Sequence, residues 1–242
     1  SYINYILGYT KEAIRYFKMA ISMQSKIDYH YVSIEALEQY LAKSYIHDGQ
    51  FSTAFKLLNK LLSNDDLTNK KKVNLYSLTA YGYAKSNNIK KSEDFINKAI
   101  DIAVQSGEGN LLFKVCLNGG MVSDLLKKEE AKGFYKKALE ISGLEREGTQ
   151  FKPSLSDLAQ LHLGLYKVTQ DIDHLYIVVD CFENSLKDKA DLWWSLNSLL
   201  TIINDLPNGE QVKFIKENSL AIQKIRKAAS QRSDAHKVLE KF

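Results

Sequence analysis

Proline is nearly absent from this chain: two residues in 242, beside twelve glycines and two cysteines. An all-β fold turns often and needs more turn formers than this, and low-complexity disorder needs far more. Cys116 and Cys181 both fall in apolar helical stretches. They read as small reduced packing residues, not as a disulfide. No apolar run approaches the ~18 residues of a membrane span, and no secretory signal pattern appears. A cytoplasmic location with no membrane partner is therefore expected.

The histidines are also few: His30, His47, His162, His174 and His236. None forms His-x-x-x-His or His-Glu-x-x-His, so no metal site is expected. Gly107-Glu-Gly109 lacks the Lys-Ser/Thr of a phosphate loop. No serine, cysteine or carboxylate has a recognisable catalytic setting. The expectation is a chain without enzymatic activity, catalytic residues or cofactor. The formal charge is +4, and the lysines are scattered. Nucleic-acid binding needs a concentrated stripe, so it is not expected here. The densest run, Lys70-Lys71-Lys72, reads as part of a solvated loop from Ser63 to Lys72. The chain opens at Ser1, without Met and inside a helical pattern. That start is read as a cut from a longer protein with an upstream effector domain.

What is present is helical periodicity. Gly49 to Leu61 reads as the turn and second helix of a hairpin, and other stretches echo it. Ala13, Ala54, Ser92 and Ala131 form one small column, at spacings of 41, 38 and 39 residues. Phe17, Leu58, Ile96 and Tyr135 form a bulky column four residues later. Ala20, Leu61, Ala99 and Ala138 follow three further on. Gly8, Gly49 and Asn87 sit five residues before the small column, where a turn needs positive φ. Small residues let the two helices of a hairpin approach; the bulky column fills the gap to the next hairpin. Helices are expected over 29–46 (capped by Asp28), 51–62, 71–86, 90–103, 110–126 and 129–142. Beyond Gly143 the columns loosen, with helices expected over 155–169, 174–186, 191–204, 210–229 and 232–242.

The columns resemble the tetratricopeptide repeat family. Ala42 and Ala80 match the small residue of that motif's first helix, with Tyr45 and Tyr83 three residues later. The first-helix Trp and the terminal Pro are absent, and the repeats run longer than the usual ~34 residues. The resemblance implies an all-α, right-handed superhelical solenoid of about five or six antiparallel helical hairpins with a concave groove. A regular array is expected over 1–142, with degenerate hairpins and a C-terminal helix over 143–242. Long repeats and the truncated start are also similar in architecture to peptide-sensing regulators of Gram-positive bacteria.

In such an array the first helix of each hairpin faces the groove. The register then assigns Gln39, Lys43 and His47 from one repeat, and Asn74, Ser77, Tyr81 and Lys85 from the next. Phe113, Cys116, Gly120 and Asp124 come from the third, with Asn118 nearby. Asn and Gln can pair with backbone amides in both senses, Lys can meet a carboxylate, and Tyr and Phe offer apolar pockets. Asn118-Gly119-Gly120 is an odd choice inside a helix; Gly119 falls in the small column, where a neighbouring helix approaches closely. Of the adjacent pair Trp193-Trp194, Trp194 is the candidate exposed anchor. The function expected is a non-catalytic scaffold, sensory or adaptor in role, binding an extended peptide or protein partner. The alternative is a structural or oligomerisation module, pairing as a homodimer through Trp193, Trp194 and the C-terminal helix.

Overall fold

The computed structural model describes residues 10–24, 33–143, 152–188, 199 and 202–230, and all regular structure among them is helical. The helices are α1 (Thr10–Gln24), α2 (Ile34–His47), α3 (Phe51–Leu62), α4 (Asn69–Lys85), α5 (Ile89–Ser106) and α6 (Gly109–Leu125). They continue with α7 (Glu130–Gly143), α8 (Leu155–Thr169), α9 (Asp173–Asp188), α10 (Asn208–Glu217) and α11 (Ser219–Ser230). The chain divides into two compact units, 1–134 and 135–242. The expected all-α architecture of antiparallel, repeat-like hairpins is what these helices form. Gly8, Asp28, Trp193, Trp194 and the tail after 230 lie outside the described residues.

In the first unit the hairpin turns repeat in atomic detail. At each, a residue with positive φ follows a first helix: Gly49 (76°), Asn87 (58°) and Lys127 (54°). The amide of the next residue donates to a carbonyl five residues back: Gln50 to Tyr45, Asn88 to Tyr83 and Lys128 to Ser123. A second bond closes each turn, from Gly49 to Ile46, Asn87 to Ala84 and Lys127 to Asp124. These pairs satisfy carbonyls that a helix end leaves open. Gly and Asn were legible as turn residues; Lys127 was not, because its φ is imposed by the packed helices on either side.

The columns pack as the register requires. Ala13, Ala54 and Ser92 are fully buried, as are Ala42, Ala80 and Leu58, with Phe17 and Ile96 beside them. The Ser92 hydroxyl donates to the Ala80 carbonyl at 2.8 Å, so this small residue ties the two helices of its hairpin together. Gly119 is needed for the same approach: a Cβ there would stand 2.9 Å from the Phe134 ring. Phe55 stacks on Tyr83 at 4.0 Å between centroids, and Tyr83 on Phe95 at 5.5 Å, joining neighbouring repeats.

Three boundaries differ from expectation. The second helix begins at Ile34, where Ser33 caps it by accepting from the Ala36 amide at 3.1 Å. Lys70, Lys71 and Lys72 lie in the first turns of α4, which Thr68 caps, and Lys71 reaches Glu35 on α2 at 2.6 Å. The expected single helix over 210–229 is broken at Asn218, whose side-chain amide donates to the Phe214 carbonyl at 2.8 Å. An Asn side chain that satisfies a backbone carbonyl competes with the regular ladder.

The second unit has its own core of Leu163, Leu175, Val178, Phe182, Leu199, Ile203 and Phe214. The α8–α9 hairpin dominates it, and α11 packs on α9. Tyr135 fills the space left by Gly164 on α8, its ring 2.4 Å from where a Cβ would be.

Candidate functional site

The first helices of successive hairpins touch one another: α2 packs on α4, and α4 on α6. The second helices α3 and α5 make no comparable contact. Helices that converge on one side and splay on the other make the convergent side the inner one. The stripe at 74, 77, 81 and 85 of α4 has helical spacing and lies on that inner side, with 39, 43 and 47 of α2 beside it.

Water reaches much of this stripe. His47, Asn74 and Lys85 are exposed, and Gln39, Lys43, Tyr81, Cys116 and Asp124 are half-buried. Ser77 and Phe113 are buried, as is Gly120. Phe113 is therefore core and not a groove residue, since its level on α6 is closed over by its neighbours. Ser77 forms the floor, 4% exposed. Asn118 is half-buried, two residues from both Cys116 and Gly120. Counted back from the turn residues Gly49, Asn87 and Lys127, its equivalents are Tyr40, which is exposed, and Leu78, which is half-buried. Trp194 lies outside the described residues.

The structure brings His47 and Tyr81 together. The Tyr81 hydroxyl is 3.4 Å from His47 Nε2, and the rings are 5.6 Å apart between centroids. The Lys85 ammonium sits over the Tyr81 ring at 5.9 Å. Protein surrounding His47, and then Lys43 and Lys85, hold its pKa down to about 4, so the ring is neutral near pH 7. Burial pushes the Tyr81 phenol up to about 12, which keeps it a proton donor. Burial also lowers Lys43, and Lys114 of α6 lowers it further. These side chains are reached by water yet pressed by protein on several sides, as an inner wall requires.

Lys114 was missed from sequence. Counted back from the turn residues Asn87 and Lys127, it is level with Asn74 of α4, and that register was the available signal. Among the described residues no group of three His, Cys, Asp or Glu side chains could hold a metal ion. Cys116 and Cys181 form no disulfide. No helix among the described residues is long and apolar enough to cross a membrane.

These packed hairpins and their polar inner stripe place the chain with all-α helical-repeat architectures. No family model matches the sequence, and no curated protein matches it. Among solved structures, the chain is similar to the crystal structure of BtubC (BKLC) from P. vanneervenii, with a TM-score of 0.54 and 19% identity. That likeness covers 96% of this chain and 91% of that one, and it bears on the fold alone.

Proposed function

We propose that this chain is a non-catalytic scaffold that binds an extended peptide, or a partner's extended segment, along the inner stripe of α2, α4 and α6. The observation that supports it is the side-by-side packing of α2, α4 and α6 with accessible Gln39, Lys43, His47, Asn74, Tyr81 and Lys85 on one side. Packed helices lie about 8–10 Å apart. An extended chain rises about 3.3 Å per residue. Three residues of ligand therefore span from one helix to the next, so polar groups recur at the pace of a peptide's own. Asn74 and Gln39 can serve backbone amides in both senses, and Tyr81 adds a flat apolar surface with a donor at its end. Within a longer protein this unit would be the sensing or adaptor region, and the repeat resemblance agrees with that role.

The test is capture from a display library of random twelve-residue peptides. Binding should fall at least tenfold with Asn74→Ala and with Tyr81→Ala. It should survive Lys56→Ala, which changes an exposed residue of the second helix α3. Capture unaffected by both stripe substitutions would refute the assignment of this face.

A further inference from the structure

The second unit holds a pair of histidines that peptide binding on the first unit does not use. His162 on α8 is 6% exposed, and His174, in the first turn of α9, is half-buried. Their Nδ1 atoms are 3.0 Å apart, with ring centroids at 5.1 Å and planes tilted by 53°. The rings therefore meet edge to edge through one N–H···N bond. A neutral imidazole carries one N–H, so one ring donates from Nδ1 while the other accepts there. The bond ties together the two helices of the hairpin at the centre of this unit, and α11 packs on α9 in turn.

Only one added proton fits this arrangement. The donating ring can take it at Nε2, on the far side from the bond, and its Nδ1 then donates from a cation, which strengthens the bond. A second proton finds only the accepting Nδ1. Two N–H groups on two cations would then face each other at 3.0 Å, and such like charges are relieved only by parting.

The surroundings do not offset those charges. Among the described residues no carboxylate is hydrogen-bonded or ion-paired to either ring. From α9, His174 is the ionisable group that meets His162; Asp171 and Asp173 beside it are exposed, and Asp171 Oδ1 accepts from the Asp173 amide at 3.1 Å. From α7, Tyr135 approaches α8 at Gly164. On α8 itself, Asp157 accepts from the Ser154 hydroxyl at 2.7 Å, and Lys167 is exposed. Tyr166, one turn beyond His162, keeps its phenol proton, held there by burial and then by Glu210 and Asp205. Burial, followed by His174, holds His162 down to about 4.

We propose that this pair is an acid-operated catch: proton uptake by both rings parts α8 from α9 and loosens α11, while the hairpins of the first unit stay packed. It is independent of the peptide-binding reading. Opening the hairpin brings His162 into water, where its charged form escapes the burial penalty, so acid favours the open form. His47 of the first unit lies exposed on α2 and can take a proton with its helices in place.

Hydrogen–deuterium exchange of the whole chain at about pH 7 and about pH 5, corrected for the intrinsic pH dependence of exchange, tests this. Protection of the α8 and α9 amides should fall roughly tenfold or more at the lower pH, and that of α4 and α5 less than about twofold. The double variant His162→Gln, His174→Gln keeps two hydrogen-bonding side chains that do not titrate, and it should retain α8 and α9 protection at both pH values. Nitrogen NMR of the wild type needs no variant: near neutral pH one ring should be the Nδ1–H tautomer and the other the Nε2–H tautomer. Finding both as Nε2–H would overturn the inference, because no proton would then lie between the rings. So would wild-type protection that acid leaves unchanged, protection lost equally from α4 and α5, or an acid-induced loss that persists in the double variant.

Discussion

Three glycines in helices give a graded test of how tightly these hairpins are packed. A methyl added at Gly164 would lie 2.4 Å from Tyr135 Cζ and 2.5 Å from Cε1. Carbon atoms prefer about 3.5–4.0 Å, so the ring must retreat by roughly 1 Å or more. Tyr135 is 1% exposed and has little room to do so. Overpacking costs about 1–3 kcal/mol, and a clash this deep belongs at the upper end. The helix regains about 1 kcal/mol by exchanging Gly for Ala. Gly164→Ala should therefore destabilise by about 2 kcal/mol. Gly133 is exposed on α7, and a methyl there meets nothing within 4 Å. Gly133→Ala should stabilise by about 0.5–1 kcal/mol. Gly82 is intermediate: its methyl would meet the end of the Ile46 side chain at 3.0 Å, which can rotate away, and the Phe55 ring at 3.0 Å. Urea denaturation followed by far-ultraviolet circular dichroism and tyrosine fluorescence should rank the alanines Gly133, Gly82, Gly164 from most to least stable. Adding Tyr135→Leu should cost less in the Gly164→Ala background than in the wild type, by roughly 1 kcal/mol or more. A Gly164→Ala protein as stable as Gly133→Ala would refute the packing described for α8.

Acidification should loosen the second unit. His162 is buried and its Nδ1 lies 3.0 Å from Nδ1 of His174. Burial, then His174, lowers its pKa from 6.5 to about 4. Between those values the unfolded chain binds more protons, so stability is complete above pH 6.5 and is lost as pH falls toward 4, by an amount on the order of 3 kcal/mol. His162→Leu should flatten that dependence in melts taken from pH 7 to pH 4; an unchanged slope would refute it. Leu58→Ala, at a fully buried position of the bulky column, should cost about 2–5 kcal/mol in chemical denaturation. Thr68→Ala removes the acceptor for the Lys71 amide at the start of α4 and should cost about 1 kcal/mol by the same measurement.

Spacing alone made the repeat legible, because a small residue every ~39 positions is demanded wherever two helices of a hairpin must touch. Ala54, Ala80 and Gly119 could be placed in contact before any coordinates, since removing side-chain bulk is the local condition for that approach. The inner stripe on α2 and α4 followed from the same register. Individual accessibilities did not. Phe113 and Ser77 occupy stripe positions but are buried, while Lys43 is still reached by water. How far each helix leans over its neighbour decides that, and no one segment encodes the lean.

The same division explains the site. The sequence by itself determined the hairpins and their turns at Gly49 and Asn87. All of these depend on residues within one repeat. Only the tertiary structure decided that the Tyr81 hydroxyl meets the His47 ring and that Phe113 is buried. The first relation joins residues 34 positions apart, and it arises only when α2 and α4 pack side by side.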